Sequence, residues 1–350
     1  MDNMVCESTK GLPLAKENFN AIDLAKFVAA LLVVVIHVPP LTSVDQTVNF
    51  VLKSGIARLA VPFFFMASGY FLSNKIDDWQ STKKYIFKIL RMYLLWILVY
   101  SPRIIYGWLT SETLILSNIT NFARKSIFEG SANQFWYLTA LIFAVALLYC
   151  LRKVSRTNLF FVALFLFFMG VLGNSYYGLT EKVPILHKIF SSYFAVFETT
   201  RNGLFFGFVF VLMGTLTKNK LPSRKKCIIG LTASMALMYL EIFILKYFSI
   251  AKLFDMYFSL IPASFSLFGF LLQTKLPDQW NFHRLRQMSL QIFLVHMLIF
   301  FFSKRLVHLS PVFDHSLIKY GIVVVLSIAC SLCWLWLENK KRFVWLKYLH

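Results

Sequence analysis

Long apolar segments alternate with short polar and charged segments along the whole chain. Most of the apolar segments approach the length of about 17 to 25 residues that a helix needs to cross a bilayer. They lack the alternation of barrel strands, and a lone segment in hydrocarbon can satisfy its backbone groups only as a helix. The pattern therefore predicts an all-α polytopic membrane protein with about ten transmembrane helices. The predicted spans are residues 20–39, 51–72, 86–109, 135–151, 158–173, 203–217, 227–245, 254–272, 288–303 and 318–337.

The composition supports membrane embedding of the entire chain. Of the 350 residues, 58% are hydrophobic and 15% are charged, whereas soluble globular proteins carry roughly 25% charged residues. We predict a tail at residues 1–19, one transmembrane domain at 20–337 and a second tail at 338–350. No cleavable signal peptide is expected, because Pro39 and Pro40 follow the first apolar segment in place of a cleavage site.

The formal net charge of +20 is better explained by membrane topology than by nucleic-acid binding. The basic residues lie between the apolar segments, and most fall in the N-terminal tail, the even-numbered connections and the C-terminal tail. The positive-inside rule then places both termini in the cytoplasm. The five cysteines are scattered, so neither a disulfide framework nor a metal site is expected.

The first apolar segment contains two ionisable residues, Lys26 and His37, on one helical face. Their spacing of eleven residues separates them by about 16 Å along the helix axis. They are explained either by a lysine that reaches toward the interface and a histidine at the other interface, or by a functional site. Because a neutral imidazole can accept a proton near neutral pH, His37 is the best candidate general base.

The second and third apolar segments add two arginines. Arg58 precedes Pro62, and this proline together with Ser68-Gly69 suggests a bent helix that could direct Arg58 inward; the alternative is a tilted helix with its charges near the surface. Arg91 follows a cluster of lysines at the start of the third segment. It either sets topology or contacts an anionic cofactor such as a nucleotide phosphate.

A polar cluster precedes the sixth apolar segment, where Glu198, Arg201 and Asn202 stand within five residues. Glu198 and Arg201 could pair on one helical turn, or the cluster could bind a ligand at the outer mouth of the helix bundle. Two further acids, Glu241 and Asp255, lie in or beside apolar segments. Either of them could orient His37.

The ninth apolar segment carries Ser289 and His296 about two helical turns apart on one face. His296 is either a hydrogen-bonded core histidine or part of a site. The sequence contains no G-x-S-x-G, H-E-x-x-H or P-loop motif. The available chemistry therefore lies in the intramembrane histidines and cations.

In combination, these motifs resemble the acyltransferase-3 family of integral membrane acyltransferases. The first helix has a basic residue and a histidine separated by ten positions, and Ser289 to His296 stand in the penultimate helix. Within the family, the chain is similar to the membrane domain of vancomycin-resistance serine/alanine racemases, through residues 57–70, 135–141 and 200–206. The similarity covers essentially the whole chain.

The resemblance implies transfer of an acyl group, usually acetyl from cytoplasmic acetyl-CoA, to a hydroxyl or amine of an extracytoplasmic acceptor such as a cell-envelope sugar. It implies His37 as base and Lys26 and Arg91 as contacts of the CoA. The basic residue of the first helix is more often arginine in the family, and Lys26 lacks the bidentate geometry of arginine.

The racemase-like branch implies instead a supply of extracellular L-serine, with a racemase domain after the C-terminus as partner and the bacterial cytoplasmic membrane as location. The chain as given ends before such a domain. Substrate-binding residues expected in either case are Arg58, Ser68, Tyr70, Trp136, Glu198, Arg201, Asn202 and His296.

Overall fold

The computed structural model describes residues 19–111, 115–132, 134–218, 221–278 and 280–349. Within these ranges the regular structure is entirely helical, without a strand, which confirms the predicted all-α class. The predicted N-terminal tail and Cys6 lie outside the described residues, apart from residue 19.

Fourteen α-helices are assigned in the described ranges. They are α1 Asn20–His37, α2 Gln46–Ser54, α3 Ala60–Leu72, α4 Trp79–Leu109, α5 Ile115–Phe128, α6 Trp136–Cys150, α7 Arg156–Leu172, α8 Tyr177–Thr180, α9 Pro184–Phe194, α10 Phe208–Leu216, α11 Arg224–Tyr247, α12 Leu260–Leu272, α13 Phe282–Ser303 and α14 Ser316–Glu338. Short 3₁₀ segments occur at Ile56–Leu59, Lys304–His308, Pro311–Asp314 and Lys341–Leu349, and a π-helical turn occurs at Gly203–Gly207.

Within the described ranges, six helical segments are long and apolar enough to cross a membrane. They are Asn20–His37, Gln46–Leu72, Trp79–Leu109, Arg224–Tyr247, Phe282–His308 and Ser316–Glu338. Four shorter apolar helices occupy Trp136–Cys150, Arg156–Leu172, Gly203–Leu216 and Leu260–Leu272. These ten segments overlap the ten predicted spans. Ten crossings and the sidedness of the termini remain predictions.

The centre of the bundle is built around α10, in which residues 208–215 are all buried. α10 crosses α3 at two glycines. A Cβ atom on Gly69 would lie 2.0 Å from the carbonyl oxygen of Val211, and one on Gly214 would lie 2.1 Å from that of Met66. The two backbones therefore touch, as is common where membrane helices pack through small residues.

The second predicted span is interrupted near its middle. α2 ends at Ser54, the 3₁₀ segment Ile56–Leu59 follows, and α3 begins at Ala60. Pro62 lies in the first turn of α3, where its missing N–H would have no intrahelical acceptor. The predicted bend is therefore present, but it lies in the segment before Pro62 and places Arg58 within the 3₁₀ turn.

The connection between the third and fourth predicted spans and the connection between the fifth and sixth predicted spans contain additional helices. α5 lies between α4 and α6, and α8 and α9 lie between α7 and the π-helical turn. The helix α1 packs chiefly against α13 and also against α3. Large apolar side chains such as Leu98, Phe161 and Val325 are 64–69% exposed on the outer helices, as expected for surfaces that face lipid.

Candidate functional site

A cavity of about 610 Å³ lies at the C-terminal end of α1. We call it the His37 cavity, and its charged and aromatic lining includes His37, Lys53, Arg58, Trp136, Arg201 and Asp255. The half-exposed side chains of Lys125 and Glu198 also line it, so the cavity reaches the protein surface. It therefore brings together residues from five separate stretches of the sequence.

A narrow extension continues from this cavity into the bundle. It shares His37, Arg58, Trp136, Arg201 and Asp255 with the wider cavity. The additional polar and aromatic residues that line this deep end are Gln134, Tyr137, Phe206 and Phe293. The deep end is therefore a small space beside the imidazole of His37 in which a few polar side chains stand among apolar ones.

Asp255 connects two arginines at the His37 cavity. Its Oδ1 lies 2.6 Å from Nη1 of Arg58, and its Oδ2 lies 2.8 Å from Nη1 of Arg201. The guanidinium group of Arg201 also stands over the ring of Trp136, 4.6 Å from its centroid. The side chains of Asp255, Arg58 and Arg201 are 8%, 10% and 24% exposed, so this ion cluster is largely buried.

The ion cluster has an excess of positive charge, because one carboxylate faces two guanidinium groups and Lys53 lines the same cavity. The Nε atoms of Arg58 and Arg201 are buried and have no hydrogen-bond partner in the described part of the chain. Buried donors without partners are rare and costly. The cluster is therefore suited to an anionic group, above all a carboxylate, that guanidinium groups bind with directional hydrogen bonds.

Two histidines meet beneath the cavity. The ring centroids of His37 and His296 are 5.4 Å apart, and the ring planes form an angle of 38°. Nδ1 of His296 lies 2.9 Å from the carbonyl oxygen of Ile292; since a carbonyl only accepts, Nδ1 carries the proton. Nε2 of His296 is buried and has no partner among the described residues. His296 therefore supports the His37 ring and does not line the cavity.

A second cavity, of about 410 Å³, lies near the N-terminal ends of α1 and α13. We call it the Lys26 cavity, and its lining includes the cations Lys26, Lys88 and Arg286 and the imidazole of His283. Asp23 lies 3.4 Å from Lys26 and 3.6 Å from Arg286. The Lys26 cavity is therefore a cationic space that is only partly neutralised by an acid.

An aromatic partition separates the two cavities. Tyr137 and Phe293 line both the deep end of the His37 cavity and the Lys26 cavity. Their ring centroids are 5.7 Å apart and the rings meet edge to face at 76°. The Tyr137 hydroxyl oxygen lies 3.4 Å from Oγ of Ser68. Two side chains therefore stand between the spaces at either end of α1.

The structure brings together five of the predicted site residues. His37, Arg58, Trp136, Glu198 and Arg201 all line the His37 cavity. Ser68 lies beside the partition, and Lys26 lines the second cavity. The stripe of α1 predicted from the spacing of Lys26 and His37 thus connects the two cavities.

The suggested pairing of Glu198 with Arg201 is wrong. Glu198 lies 2.5 Å from Lys125, on α5, and Arg201 pairs with Asp255. Of the two acids considered as partners of His37, Asp255 lines the His37 cavity. Glu241 instead accepts hydrogen bonds from the N–H groups of residues 258 and 259 at the beginning of α12, because these donors have no partner inside the helix.

Three other residues that were predicted to contact a ligand line neither cavity. Tyr70 packs among the rings of Phe19, Phe71 and Phe268 and lines neither cavity. The Oδ1 atom of Asn202 accepts bonds of 3.0 Å from the backbone N–H groups of residues 204 and 205, so Asn202 caps the π-helical turn. Arg91 is exposed on α4, and the residue of this helix that lines the Lys26 cavity is Lys88.

Sequence reasoning did not single out several residues that line the cavities. These are Lys53 and Gln134 in the His37 cavity and Lys88, His283 and Arg286 in the Lys26 cavity. Gln134 immediately precedes the motif Phe135-Trp136-Tyr137. Its position next to this motif is the one feature of the sequence that could have marked it as a site residue. No group of three or more metal-binding side chains occurs in the described part of the chain.

Residues 19–337 match the sequence profile of a known family, described as an acyltransferase domain. The chain belongs to the acyltransferase-3 family. This confirms the resemblance found in its motifs and makes the chain a multi-pass membrane protein with an acyltransferase-type domain. No solved structure gives a significant match.

Curated relatives of this acyltransferase-3 domain carry racemase names. An amino-acid racemase of Enterococcus faecalis is 35% identical over 260 residues, which are 73% of this chain and 36% of the relative. A second one from the same organism is 30% identical and covers 93% of this chain and 47% of the relative. A serine/alanine racemase of Enterococcus gallinarum is 30% identical, with 88% and 44% covered. The chain therefore spans less than half the length of these relatives.

Proposed function

We propose that this acyltransferase-3 domain transfers an acyl group from a donor in the Lys26 cavity to an acceptor in the His37 cavity. The observation that carries this proposal is the aromatic partition, because Tyr137 and Phe293 line both cavities. A thioester that passes between these rings would reach the imidazole that lines the other side. Because only the acyl group would pass the partition, the rest of the donor would not have to cross the membrane.

The proposed topology has ten crossings, both termini in the cytoplasm and a transmembrane domain at residues 20–337 of a bacterial cytoplasmic membrane protein. One supporting observation is the orientation of α1 and α13. Lys26 and Arg286 approach the same Asp23 side chain, and His37 and His296 meet further along both helices. The two helices therefore run in the same direction, as the first and ninth spans of this topology must. The Lys26 cavity would then face the cytoplasm.

The proposed donor is an acyl-CoA, whose phosphates would be bound by Lys26, Lys88 and Arg286. His37 accepts the proton of an acceptor hydroxyl or amine as that atom attacks the thioester carbonyl. The new bond joins the acyl carbon to the acceptor oxygen or nitrogen, the carbon–sulfur bond breaks, and the thiol of CoA leaves with the proton. The cationic residues Arg58 and Arg201 hold the acceptor beside His37.

The test uses purified protein in proteoliposomes with radiolabelled acetyl-CoA and a panel of envelope sugars and amino acids as acceptors. We expect His37→Ala to lower acetyl transfer by about 10²- to 10⁴-fold, the usual contribution of a general base. His187→Ala, which removes an exposed histidine of α9, is the matched control. Transfer at the wild-type rate by folded His37→Ala protein would reject the proposed role of His37.

A second candidate function is the supply of extracellular L-serine to a racemase. The observation that favours it is the ion cluster in the His37 cavity, in which two guanidinium groups face the single carboxylate of Asp255, an arrangement that suits a small carboxylate. The racemase names of the relatives agree with it. Saturable uptake of labelled L-serine by proteoliposomes would support this function, and uptake equal to that of empty liposomes would exclude it.

A further inference from the structure

Gln134 lies at the deep end of the His37 cavity and is only 1% exposed. It immediately precedes α6 and lines this small space together with His37, Arg58 and Arg201. A buried amide in such a place must be satisfied by the protein, by water or by a ligand. The hydrogen bonds around it show which of its two polar atoms is satisfied.

The orientation of the Gln134 amide is fixed by a chain of two hydrogen bonds. The backbone carbonyl of Leu294 can only accept, so the hydroxyl of Tyr100 donates to it over 2.9 Å. The hydroxyl oxygen must then accept from its other neighbour, which is Nε2 of Gln134 at 2.6 Å. This assigns the nitrogen to the Tyr100 side and leaves Oε1 as the remaining polar atom.

Oε1 of Gln134 is buried and has no hydrogen-bond partner in the described part of the chain. The Nε atoms of Arg58 and Arg201, which line the same space, have none there either. The side chains that line the deep end thus include one buried acceptor and two buried cationic donors that have no partner among the described residues. A ligand that satisfies all of them carries an anionic group and, next to it, a hydrogen-bond donor.

We propose that Gln134 is a specificity-determining residue of the His37 cavity. Its Oε1 atom accepts a hydrogen bond from an O–H or N–H group of a ligand whose carboxylate is bound by Arg58 and Arg201. Tyr100 is a positioning residue, because it holds the amide with the oxygen toward the ligand. The inference rests on the proposed function only in taking the His37 cavity as the acceptor-binding site.

The test compares three carboxylates that differ at one position. Propionate has hydrogen at its second carbon, L-lactate has a hydroxyl group and L-alanine has an ammonium group. Calorimetric titration of the detergent-solubilised protein, without acyl donor, measures their affinities. We expect L-lactate or L-alanine to bind at least about tenfold more tightly than propionate, the effect of one hydrogen bond that a buried group would otherwise lose.

Gln134→Leu should abolish this preference while affinity for propionate stays within about threefold. Tyr100→Phe leaves the glutamine in place but frees its amide to rotate, so it should weaken the preference. The matched control is Gln291→Leu, since Gln291 is an equally buried glutamine that lines neither cavity. It should keep the wild-type preference.

The inference is overturned if the wild-type protein binds the three carboxylates equally or binds none of them, or if Gln134→Leu keeps the preference. An unchanged preference in Tyr100→Phe would reject the positioning role of Tyr100. Its failure is distinguishable from that of the proposed function, because binding is measured without acyl transfer. Normal transfer by His37→Ala with loss of preference in Gln134→Leu would remove the proposed base and retain the role of Gln134.

Discussion

The two cavities that meet at the aromatic partition hold their charges in different ways. In the His37 cavity, Arg58 and Asp255 are 10% and 8% exposed and pair at 2.6 Å. In the Lys26 cavity, Arg286 is 43% exposed and its nearest approach to Asp23 is 3.6 Å. One end of α1 therefore has a buried, closely paired ion cluster. The other end has a longer ion pair between Lys26 and Asp23, at 3.4 Å, together with the exposed cations Lys88 and Arg286.

This difference suits two different ligands. Paired arginines in a buried space are preorganised, and they discriminate among small molecules because a misplaced polar group would lose its partner. Long cationic side chains with access to water adapt to the phosphates of a large donor at little cost in desolvation. The comparison thus assigns selectivity to the His37 cavity and donor capture to the Lys26 cavity under the proposed function.

Loss of the Asp255 charge should have the largest effect on stability. Asp255→Asn leaves two buried guanidinium groups without a counter-ion, and breaking a buried pair in this way costs about 3–5 kcal/mol. The free energy of unfolding in detergent measures this cost. Glu198→Gln is the matched control, because its ion pair with Lys125 is 41–58% exposed and such pairs contribute about 0–1 kcal/mol.

Replacement of the whole ion cluster by apolar residues tests whether the loss of stability in Asp255→Asn comes from unpaired buried charge. Replacement of the whole cluster by Arg58→Met, Arg201→Met and Asp255→Leu together should restore most of the stability that Asp255→Asn removes, because no unpaired charge remains buried. Equal effects of Asp255→Asn and Glu198→Gln would contradict the view that the Asp255 ion cluster contributes more to stability than the half-exposed ion pair of Glu198 and Lys125 in the same cavity.

An intermediate effect is expected in the Lys26 cavity. Arg286→Ala should raise KM for acetyl-CoA about tenfold, since one charge-assisted hydrogen bond to phosphate contributes about 1.5 kcal/mol. Binding of L-lactate in the His37 cavity should stay unchanged. Lys226→Ala, which removes an exposed cation of α11, is the control for general charge effects. An unchanged KM, or weaker lactate binding, would contradict a separate donor site.

Much of the fold could be predicted from the sequence because apolar length and helix formation are local properties. Each predicted span overlaps an apolar helix, and Lys26 and His37, which their eleven-residue spacing places on one face of α1, each line a cavity. The positions of these two side chains follow from helix geometry alone. No information about neighbouring helices is needed for that step.

Pairing between distant residues could not be predicted in this way. Asp255 follows Arg201 by 54 positions, and nothing local distinguishes it from Glu241, which caps α12. Asn202 stands beside Arg201 in the sequence, but its side chain caps the π-helical turn. Tertiary packing decides whether a polar side chain lines a cavity or accepts hydrogen bonds from backbone groups at a helix end. Sequence reasoning could not separate these two roles, so it treated all of these polar residues as candidates for one site.

The smallest effect is expected at the partition itself. Ser68→Ala removes a hydroxyl that lies 3.4 Å from the hydroxyl of Tyr137, at the long limit of a hydrogen bond. Its net contribution should be about 0.5 kcal/mol, so acetyl transfer should change by less than about threefold. Ser73→Ala, which alters a hydroxyl bonded to the backbone at the end of α3, is the control. A loss of transfer greater than about tenfold in Ser68→Ala alone would mean that Ser68 contacts the reacting groups, and the partition would then belong to the catalytic centre as well as dividing the cavities.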